Sequence, residues 1–192
     1  MRIIAGEHRG RQLLAPDNQN TRPITDRAKQ SVFDILSPMI EGAVVYDCFA
    51  GTGSMGLECL SRGATFATFF EMDRSALKLL KQNVEALKVQ KQSRIVAGDL
   101  FAWFDNEKRA AGGVDLIFLD PPYRLQKEKP AELKKLATIL AARELAKDGT
   151  VVFRHAVEDN LELPPLTVVD CREYGGMTVE FLGRPNASVD AE

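Results

Sequence analysis

The stretch VYDCFAGTGSMG, from Val45 to Gly56, decides the fold of this chain. Apolar residues lead into Gly51, Gly53 and Gly56, which have the spacing G-x-G-x-x-G. Between a buried strand and a helix, that spacing is typical of the nucleotide-binding turn of a parallel α/β sheet. An acidic residue, Glu71, follows about 20 residues after the first glycine, as the dinucleotide-binding pattern requires. Taken alone, the stretch therefore predicts an NAD-type ligand.

Apolar, β-branched and aromatic runs recur along the chain and predict buried strands. They lie at Ala43–Phe49, Thr65–Phe70, Arg94–Ala97, Val114–Leu119 and Thr150–Phe153. Helical periodicity occurs between these runs, at Met55–Ser61, Arg74–Lys88 and Ala131–Lys147. Because strand and helix alternate, we expect a Rossmann-like α/β fold whose mostly parallel sheet is covered by helices on both faces.

The last part of the chain changes pattern. Leu166–Tyr174 and Met177–Leu182 are strand-like and are separated only by Gly175 and Gly176. Two strands joined by so short a glycine turn form a hairpin. We therefore expect a seven-stranded sheet that ends in an antiparallel hairpin, followed by a flexible tail at residues 185–192.

The first 36 residues precede this core and are predicted separately. Arg2–Ala5 and Arg11–Leu14 flank a glycine-bearing turn, which favours a small β-hairpin. Ala28–Leu36 has a helical pattern and follows Asp26, a residue type that caps helix N-termini. We therefore divide the chain into an extension at residues 1–36, a core domain at residues 37–184 and the tail.

The composition excludes several classes of protein. No apolar run approaches the roughly 18 residues of a membrane span, and the opening MRIIAGEHRG has no signal-peptide pattern, so we expect a cytoplasmic protein. The three cysteines form no C-x-x-C motif, which argues against a disulfide framework or a zinc site. His8 and His155 are far apart in the sequence and fit no recognised metal-ligand spacing, so we expect no bound metal.

Charge is distributed unevenly along the chain. The net charge is only −2, which does not indicate a nucleic-acid-binding domain. The part before residue 30 is nevertheless locally basic, with Arg2, Arg9, Arg11, Arg22, Arg27 and Lys29. Such a cluster is either an ordinary solvated surface or a contact for phosphate.

Asp47 argues against a dinucleotide. In a parallel α/β sheet the ligand lies beyond the carboxyl ends of the strands, and Asp47 is placed there, just ahead of the glycines. Its carboxylate would repel a pyrophosphate but would attract the ammonium group of an amino-acid ligand. S-adenosylmethionine carries that ammonium group and a sulfonium in addition.

Two further carboxylates end the next strands but do not separate the two ligands. Glu71 is placed to accept hydrogen bonds from ribose hydroxyls, and Asp99 to contact an adenine amino group. Both contacts suit any adenosine ligand. Either residue could instead cap the helix that follows it.

The motif DPPY, Asp120–Tyr123, lies at the carboxyl end of the fourth predicted strand and so at the rim of the same crevice. An amino group on an aromatic base is a poor nucleophile, since its lone pair is delocalised into the ring. If the Asp120 carboxylate and the Pro121 carbonyl accept its two hydrogens, the nitrogen is oriented towards a methyl donor. Tyr123 could then stack on the base, as in other enzymes that act on nucleobases.

With FAGTG and DPPY in this order, the chain resembles the amino-group methyltransferases, and over nearly its full length it resembles the RsmD family. Matching segments are RIIAGEHRGRQL, TRPITDRAKQSVFDIL, DCFAGTGSMGLECLSRGA, FFEMD and IFLDPPY. The resemblance implies an S-adenosylmethionine-dependent enzyme that methylates the exocyclic N2 of a guanine in bacterial small-subunit (16S) ribosomal RNA.

The resemblance also implies roles for individual residues. Cofactor binding falls to Asp47, Phe49, Ala50, Gly51, Thr52, Gly53, Glu71, Met72, Asp99 and Leu100. The amino-group site is formed by Asp120, Pro121, Pro122 and Tyr123. Contacts to RNA are expected from Arg9, Arg11, Arg22 and Arg27 in the extension at residues 1–36, which would also form a lid over the active site. Each arginine could instead form a surface salt bridge.

Three other functions stay open at this point. DPPY serves any exocyclic amine, so an adenine-N6 methyltransferase acting on DNA or RNA is one alternative. The literal G-x-G-x-x-G leaves an NAD-dependent oxidoreductase as another. A non-catalytic RNA-binding module is the third. For the leading function we expect a monomer, and the substrate is either free ribosomal RNA or an assembling small subunit.

Overall fold

A computed structural model describes residues 1–16, 24–106, 113–159 and 161–185 of the chain. Within these residues, seven strands form one sheet in the order β3-β2-β1-β4-β5-β7-β6. The strands are β1 Val44–Cys48, β2 Phe66–Glu71, β3 Ser93–Ala97, β4 Val114–Leu119, β5 Leu145–Ala156, β6 Thr167–Tyr174 and β7 Met177–Gly183. The first five are parallel, and β7 runs antiparallel between β5 and β6. The predicted Rossmann-like sheet with a terminal antiparallel pair is confirmed.

Six α-helices connect or precede the strands within the described residues. They are α1 Asp26–Leu36, α2 Ser54–Ser61, α3 Arg74–Ala86, α4 Leu100–Asn106, α5 Tyr123–Glu128 and α6 Pro130–Ile139. Short 3₁₀ turns lie at Ser37–Met39 and Gln90–Gln92, and a π-helical turn lies at Leu140–Glu144. None of the helices in the described parts of the chain is long and apolar enough to cross a bilayer. The short helices α4 and α5 were not predicted by the sequence pattern.

The two faces of the sheet carry separate hydrophobic cores. Along β2, Phe69 packs into one core with Phe33 and Leu80, whereas Phe70 packs into the other with Phe104. Successive side chains of a strand point to opposite faces, so a strand buried on both sides must be apolar throughout. Burying one such phenylalanine contributes about 1.5–3 kcal/mol, which explains why the apolar runs become central strands.

The predicted helix Ala131–Lys147 is wrong at its carboxyl end. The helix α6 stops at Ile139, one π-helical turn follows, and β5 begins at Leu145. Leu145 pairs with Val114 of β4, so tertiary pairing overrides the helical spacing of the leucines. The strand β5 is therefore much longer than the predicted Thr150–Phe153, and a register shift divides its first residues from the rest.

The cap of α1 also differs from the prediction. Thr25, not Asp26, is the N-cap, and its hydroxyl accepts a hydrogen bond from the Ala28 N–H at 3.2 Å. Asp26 is instead the first residue of the helix and forms an ion pair with Arg2 at 2.7 Å. A carboxylate in the first turn is still favourable to the helix dipole.

The predicted amino-terminal hairpin is present in a reduced form. Arg2 and Gln12 form an isolated antiparallel bridge, and the Ile3 N–H donates to the Arg11 carbonyl at 3.0 Å. Ile3 and Leu13 are buried in the core cluster that also contains α2, so the two arms of the hairpin lie on the main sheet domain. The start of the hairpin reaches the loop between β1 and α2 that carries Gly51 and Gly53, here called the glycine loop, where Thr52 Oγ1 lies 3.9 Å from Met1 Sδ. The turn of the hairpin packs instead at the end of α2, where the Glu7 N–H donates to the Ser61 carbonyl at 2.7 Å.

Candidate active site

The first two glycines of the loop between β1 and α2 are required for different structural reasons. Gly51 has φ +56°, and a Cβ added there would meet nothing within 4 Å. Gly53, the N-cap of α2, has φ +86°, and a Cβ there would lie 2.5 Å from Leu80 Cδ1. Gly51 therefore exposes its backbone to open space at the strand ends, which suits close approach of a ligand, whereas Gly53 allows α3 to pack.

Gly56 lets α2 pack on the sheet. A Cβ added to Gly56 would lie 2.4 Å from Phe69 Cε1 and 3.2 Å from Asp47 Oδ2. Its N–H donates a hydrogen bond to the same Asp47 oxygen at 2.8 Å. Close helix–strand packing is the general reason for the third glycine of this pattern.

Asp47 is buried beneath the glycine loop, with only 2% of its surface exposed. Burial raises the pKa of its carboxyl group to about 8, and the nearby Asp120 and Glu71 add to the shift, against the hydrogen bond from Gly56. The group is therefore mostly protonated at neutral pH in the free protein. A cationic ligand at this place would favour the ionised form, so Asp47 remains a candidate partner for an ammonium group.

Glu71 ties the glycine loop to the turn after β2. One carboxylate oxygen accepts the Gly51 N–H at 2.7 Å, and the other accepts the N–H groups of Met72 and Asp73 at 2.8 and 2.7 Å. The cap of α3 is Asp73, which accepts from the Ala76 N–H, so capping does not explain Glu71. An ionised carboxylate has about four lone-pair sites, which leaves capacity for a ribose hydroxyl.

Asp99 is exposed at the end of β3, and its Oδ1 accepts the Phe101 N–H at 2.9 Å at the start of α4. Asp99 therefore caps the start of α4, as the alternative interpretation expected. Its second oxygen, Oδ2, is still available to a ligand. Its neighbour Leu100 is buried in the core, so any cofactor contact from Leu100 would come from its backbone.

The remaining candidate cofactor residues differ in exposure. Ala50 and Thr52 are buried, which again leaves their backbone groups for a ligand, whereas Met72 is 67% exposed. Phe49 has φ +63° and packs edge-on against Phe101, with ring centroids 6.1 Å apart. A non-glycine residue in this region is strained, and such strain is concentrated at functional sites.

The DPPY turn lies beside the glycine loop. Cys48 of β1 pairs with Leu119 of β4, and each strand leaves the sheet at the next residue, Phe49 or Asp120. The Asp120 N–H points at the Cys48 carbonyl at 3.5 Å. The structure thus brings the two predicted halves of the site to neighbouring strand ends.

Asp120 has an ion-pair partner that the sequence pattern does not predict. Arg154 Nε donates to Asp120 Oδ1 at 2.6 Å, and the two side chains are 18% and 26% exposed. Burial raises the pKa of Asp120, and Arg154 opposes that shift. The only signal for Arg154 in the sequence is its position as a charged residue inside the apolar run TVVFRHA.

Pro121 and its neighbours shape the rest of the turn. The side-chain amide of Gln126 donates to the Pro121 carbonyl at 3.2 Å, which occupies one of the two lone pairs of that oxygen. Pro122 is the exposed N-cap of α5, and the half-buried Tyr123 begins the helix. Nothing in the sequence pattern distinguished Gln126.

The predicted RNA contacts lie on the hairpin and α1, apart from Arg22, which is outside the described residues. Arg9, Arg11 and Arg27 are exposed and form no ion pair with any residue that the structure describes. Asp26 pairs with Arg2 instead of Arg27, and Arg11 donates to the Ala86 carbonyl at 3.3 Å. The three arginines therefore remain available for phosphate.

No group of three or more histidine, cysteine, aspartate or glutamate side chains suited to a metal ion occurs in the described ranges. Cys48 and Cys59 are buried and Cys171 is exposed. Burial raises the pKa values of the Cys48 and Cys59 thiols well above the usual value.

The chain is similar to known proteins over nearly its whole length. Residues 1–183 match the family model described as "Conserved hypothetical protein 95". The chain is 36% identical over 182 residues to "Putative rRNA methyltransferase YlbH" of Bacillus subtilis, covering 93% of this chain and 95% of that protein. It is 40% identical over 124 residues to "Ribosomal RNA small subunit methyltransferase D" of Escherichia coli, covering 65% of this chain and 61% of that one.

A solved structure has the same fold. The "Putative methyltransferase yhhF from Escherichia coli" superimposes with a TM-score of 0.82 at 32% identity, covering 96% of this chain and 97% of that chain. The family model and the Bacillus subtilis relative both span nearly the whole chain, from the amino-terminal hairpin to the terminal strands. The chain therefore belongs to the RsmD family of ribosomal RNA methyltransferases.

Proposed function

We propose that this protein transfers a methyl group from S-adenosylmethionine to the exocyclic N2 amine of a guanine in small-subunit ribosomal RNA. Family membership supports the coarser part, methylation of ribosomal RNA with this cofactor. The observation that carries the amino-group part is the DPPY turn, whose Asp120 carboxylate and Pro121 carbonyl lie one strand away from the glycine loop. The choice of guanine N2 over adenine N6 follows from the resemblance to the RsmD family.

The residues around the glycine loop fit the proposed cofactor, which supplies an electrophilic methyl group on a sulfonium. The Gly51 backbone faces open space for it, and Glu71, already fixed by three N–H groups, offers spare lone pairs to ribose hydroxyls. Asp99 is exposed for the adenine amino group, and Asp47 lies below the loop for the ammonium group. Each group is preorganised by backbone contacts, so little reorganisation is needed on binding.

The amine is oriented by the DPPY turn. Asp120 Oδ2 and the second lone pair of the Pro121 carbonyl accept its two hydrogens, and the Tyr123 ring stacks on the base. Its nitrogen lone pair would then point along the line of displacement, and a new N–C bond would form as the S–C bond breaks and S-adenosylhomocysteine leaves. The proton lost from the nitrogen would pass to solvent, directly or through Asp120. Positioning of this kind supplies a large share of the barrier reduction in group transfer.

The extension at residues 1–36 is assigned to RNA in this proposal. Arg9 and Arg11 on the hairpin and Arg27 on α1 provide exposed cations, and Arg22 belongs to the same segment outside the described residues. Phosphate contacts fix the register of an RNA without reading its sequence. Residues 37–184 are then the catalytic domain and residues 185–192 the tail. Because its substrate is ribosomal, the proposal places the protein, as a monomer, in the cytoplasm.

The test is methylation of small-subunit particles or their RNA with labelled S-adenosylmethionine, followed by nucleoside analysis. We expect label in N2-methylguanosine, and Asp120→Ala should lower kcat by about 10²–10³-fold. Label in N6-methyladenosine would replace the guanine assignment by the adenine alternative. A thermal shift produced by NAD but not by S-adenosylhomocysteine would favour the oxidoreductase instead.

A further inference from the structure

The two hydrogen-bond acceptors of the DPPY turn are both held by side chains outside the motif. Arg154 of β5 donates its Nε–H to Asp120 Oδ1 at 2.6 Å. Gln126 of α5 donates from Nε2 to the Pro121 carbonyl and to the Arg154 carbonyl, each at 3.2 Å. A single set of contacts therefore joins the turn to the helix after it and to the neighbouring strand.

Arg154 controls which Asp120 oxygen is available. Leu119 of β4 pairs with Phe153 of β5, so Asp120 and Arg154 lie next to each other just beyond that pair. The charge-assisted bond from Nε fixes the rotation of the carboxylate through Oδ1. No other described residue bonds the Asp120 carboxyl group, and its side chain is 26% exposed, which leaves Oδ2 accessible.

The orientation of the Gln126 side-chain amide is fixed by its NH₂ group. The side chain is 4% exposed, and two carbonyl oxygens face one end of its amide. Only the NH₂ end can face two acceptors, so the amide cannot be reversed. This leaves Gln126 Oε1 buried without a hydrogen-bond partner among the described residues. A buried oxygen of this kind is costly, whereas a methionine would fill the same space without it.

We propose that Arg154 and Gln126 are positioning residues that hold Asp120 Oδ2 and the Pro121 carbonyl in the relative placement required to receive both hydrogens of one exocyclic amine. The inference rests on the proposed function of the DPPY turn. The two residues act through Asp120 and Pro121 and need not touch the base. Gln126 also couples the two halves of the arrangement, since it binds the backbone of the residue that holds Asp120.

The test compares four variants in the full-length protein, with kcat, the KM for RNA, the Kd for S-adenosylhomocysteine and Tm measured for each. Arg154→Met and Gln126→Met remove the donors at similar size. Gln126→Glu keeps the shape but presents a carboxylate to the two carbonyls, and Arg154→Lys keeps the charge. We expect the first three to lower kcat by about tenfold or more, with the KM and Kd changed less than about threefold and part of the activity kept by Arg154→Lys.

The matched control is Arg172→Met, which removes a strand arginine that pairs with Asp170 at 2.7 Å, away from the site. It should leave kcat at the wild-type value. A double-variant comparison adds a readout that a merely structural role would not affect. In the background of Asp120→Ala, Arg154→Met should have little further effect on kcat, since its only route to the amine is already removed.

The outcomes separate this inference from the function on which it rests. A wild-type protein that methylates no ribosomal RNA would overturn the proposed function. An active wild type with unchanged kcat in Gln126→Met and Gln126→Glu would overturn the positioning role alone, whatever the stability of the arginine variants. Losses that add fully in the Asp120→Ala background, or that follow the Kd for S-adenosylhomocysteine, would also overturn it.

Discussion

Lys29 Nζ of α1 lies 2.9 Å from Glu58 Oε2 of α2, and the two side chains are 1% and 0% exposed. The same glutamate accepts the N–H groups of Ile4 and Ala5 at 2.8 and 2.9 Å. Arg62 Nε lies 2.8 Å from Glu58 Oε1, the oxygen that also accepts the Ala5 N–H. This buried ion pair thus attaches the amino-terminal hairpin to the helix that follows the glycine loop. Through it, the segment proposed to contact RNA is connected to the segment proposed to contact the cofactor.

Breaking this ion pair on one side should be strongly destabilising. Lys29→Met leaves the Glu58 carboxylate buried without its main counter-charge, and we expect a loss of about 3–5 kcal/mol in the free energy of unfolding. Burial lowers the pKa of Lys29, and the charge of Glu58 opposes that shift. Urea denaturation measures the effect.

The exposed pair Arg2–Asp26 is the control for this prediction. Its side chains are 54% and 46% exposed at a similar separation of 2.7 Å, so Arg2→Gln should cost less than about 1 kcal/mol. The double variant Lys29→Met/Glu58→Gln should be more stable than the sum of the two single changes predicts. Equal costs for the buried and the exposed pair would contradict the interpretation.

The glycines of the loop should respond differently to alanine. Gly56→Ala forces a Cβ to within 2.4 Å of Phe69, and we expect a loss of about 1–3 kcal/mol from overpacking. Gly51→Ala meets no atom within 4 Å, so it should cost about 1–2 kcal/mol through its positive φ alone. In addition, the new methyl group would occupy the open space proposed for the cofactor.

The two effects are separated by measuring Tm and the Kd for S-adenosylhomocysteine on the same preparations. Gly51→Ala should weaken binding more than tenfold, whereas the folded fraction of Gly56→Ala should bind with an affinity closer to that of the wild type. If Gly51→Ala binds S-adenosylhomocysteine like the wild type, the open space beside Gly51 is not the cofactor site.

The scaffold of the site was predictable because each of its parts is local in sequence. The runs that become β1 and β4 are apolar throughout, and the chemistry-bearing residues follow each strand directly, as with Asp120 after Leu119. Parallel strands place their carboxyl ends at one edge, so the neighbourhood of the glycine loop and DPPY followed from topology.

The supporting contacts were not predictable, since they join residues far apart in the chain. Arg154 and Asp120 are 34 residues apart, and Ile4 and Glu58 are 54 apart. Hydrophobic periodicity indicates which face of an element is buried but not which polar side chain meets which partner. The same limit explains why the helix pattern continued wrongly into β5, where pairing of Leu145 with Val114 decides the conformation.

The surroundings of His155 in the terminal strands predict that the free energy of unfolding depends on pH. Its ring is buried, and the Glu180 carboxylate, with Oε1 3.7 Å from Nε2, raises the pKa of the imidazole above its usual value. The stabilisation is fully present below pH 6.5 and is lost as pH rises through the folded-state pKa. Each unit of pKa increase corresponds to about 1.4 kcal/mol.

Glu180→Gln should remove most of this contribution. The measurement is the difference in unfolding free energy between variant and wild type at pH 5.5 and at pH 9, which cancels the titration of groups common to both. The variant should be the less stable at pH 5.5 and should approach the wild type at pH 9. The control Glu173→Gln, exposed on β6, should show no such difference between the two pH values. A constant deficit for Glu180→Gln at both pH values would show that packing, not charge, is responsible.

The raised pKa of Asp47 predicts that cofactor binding releases a proton. With a pKa of about 8, its carboxyl group is mostly protonated in the free protein at pH 7. An ammonium group held beside it favours the charged form and lowers the pKa, so the proton must leave on binding.

Calorimetric titration with S-adenosylhomocysteine at pH 7, in buffers of different ionisation enthalpy, should detect release of nearly one proton. Asp47→Asn should abolish it, whereas Asp105→Asn, an exposed carboxylate paired with Lys135, should not. Because the free protein holds the proton up to about pH 8, affinity should rise with pH below that value and level off above it. Binding enthalpies independent of the buffer would show that Asp47 does not serve as the counter-charge.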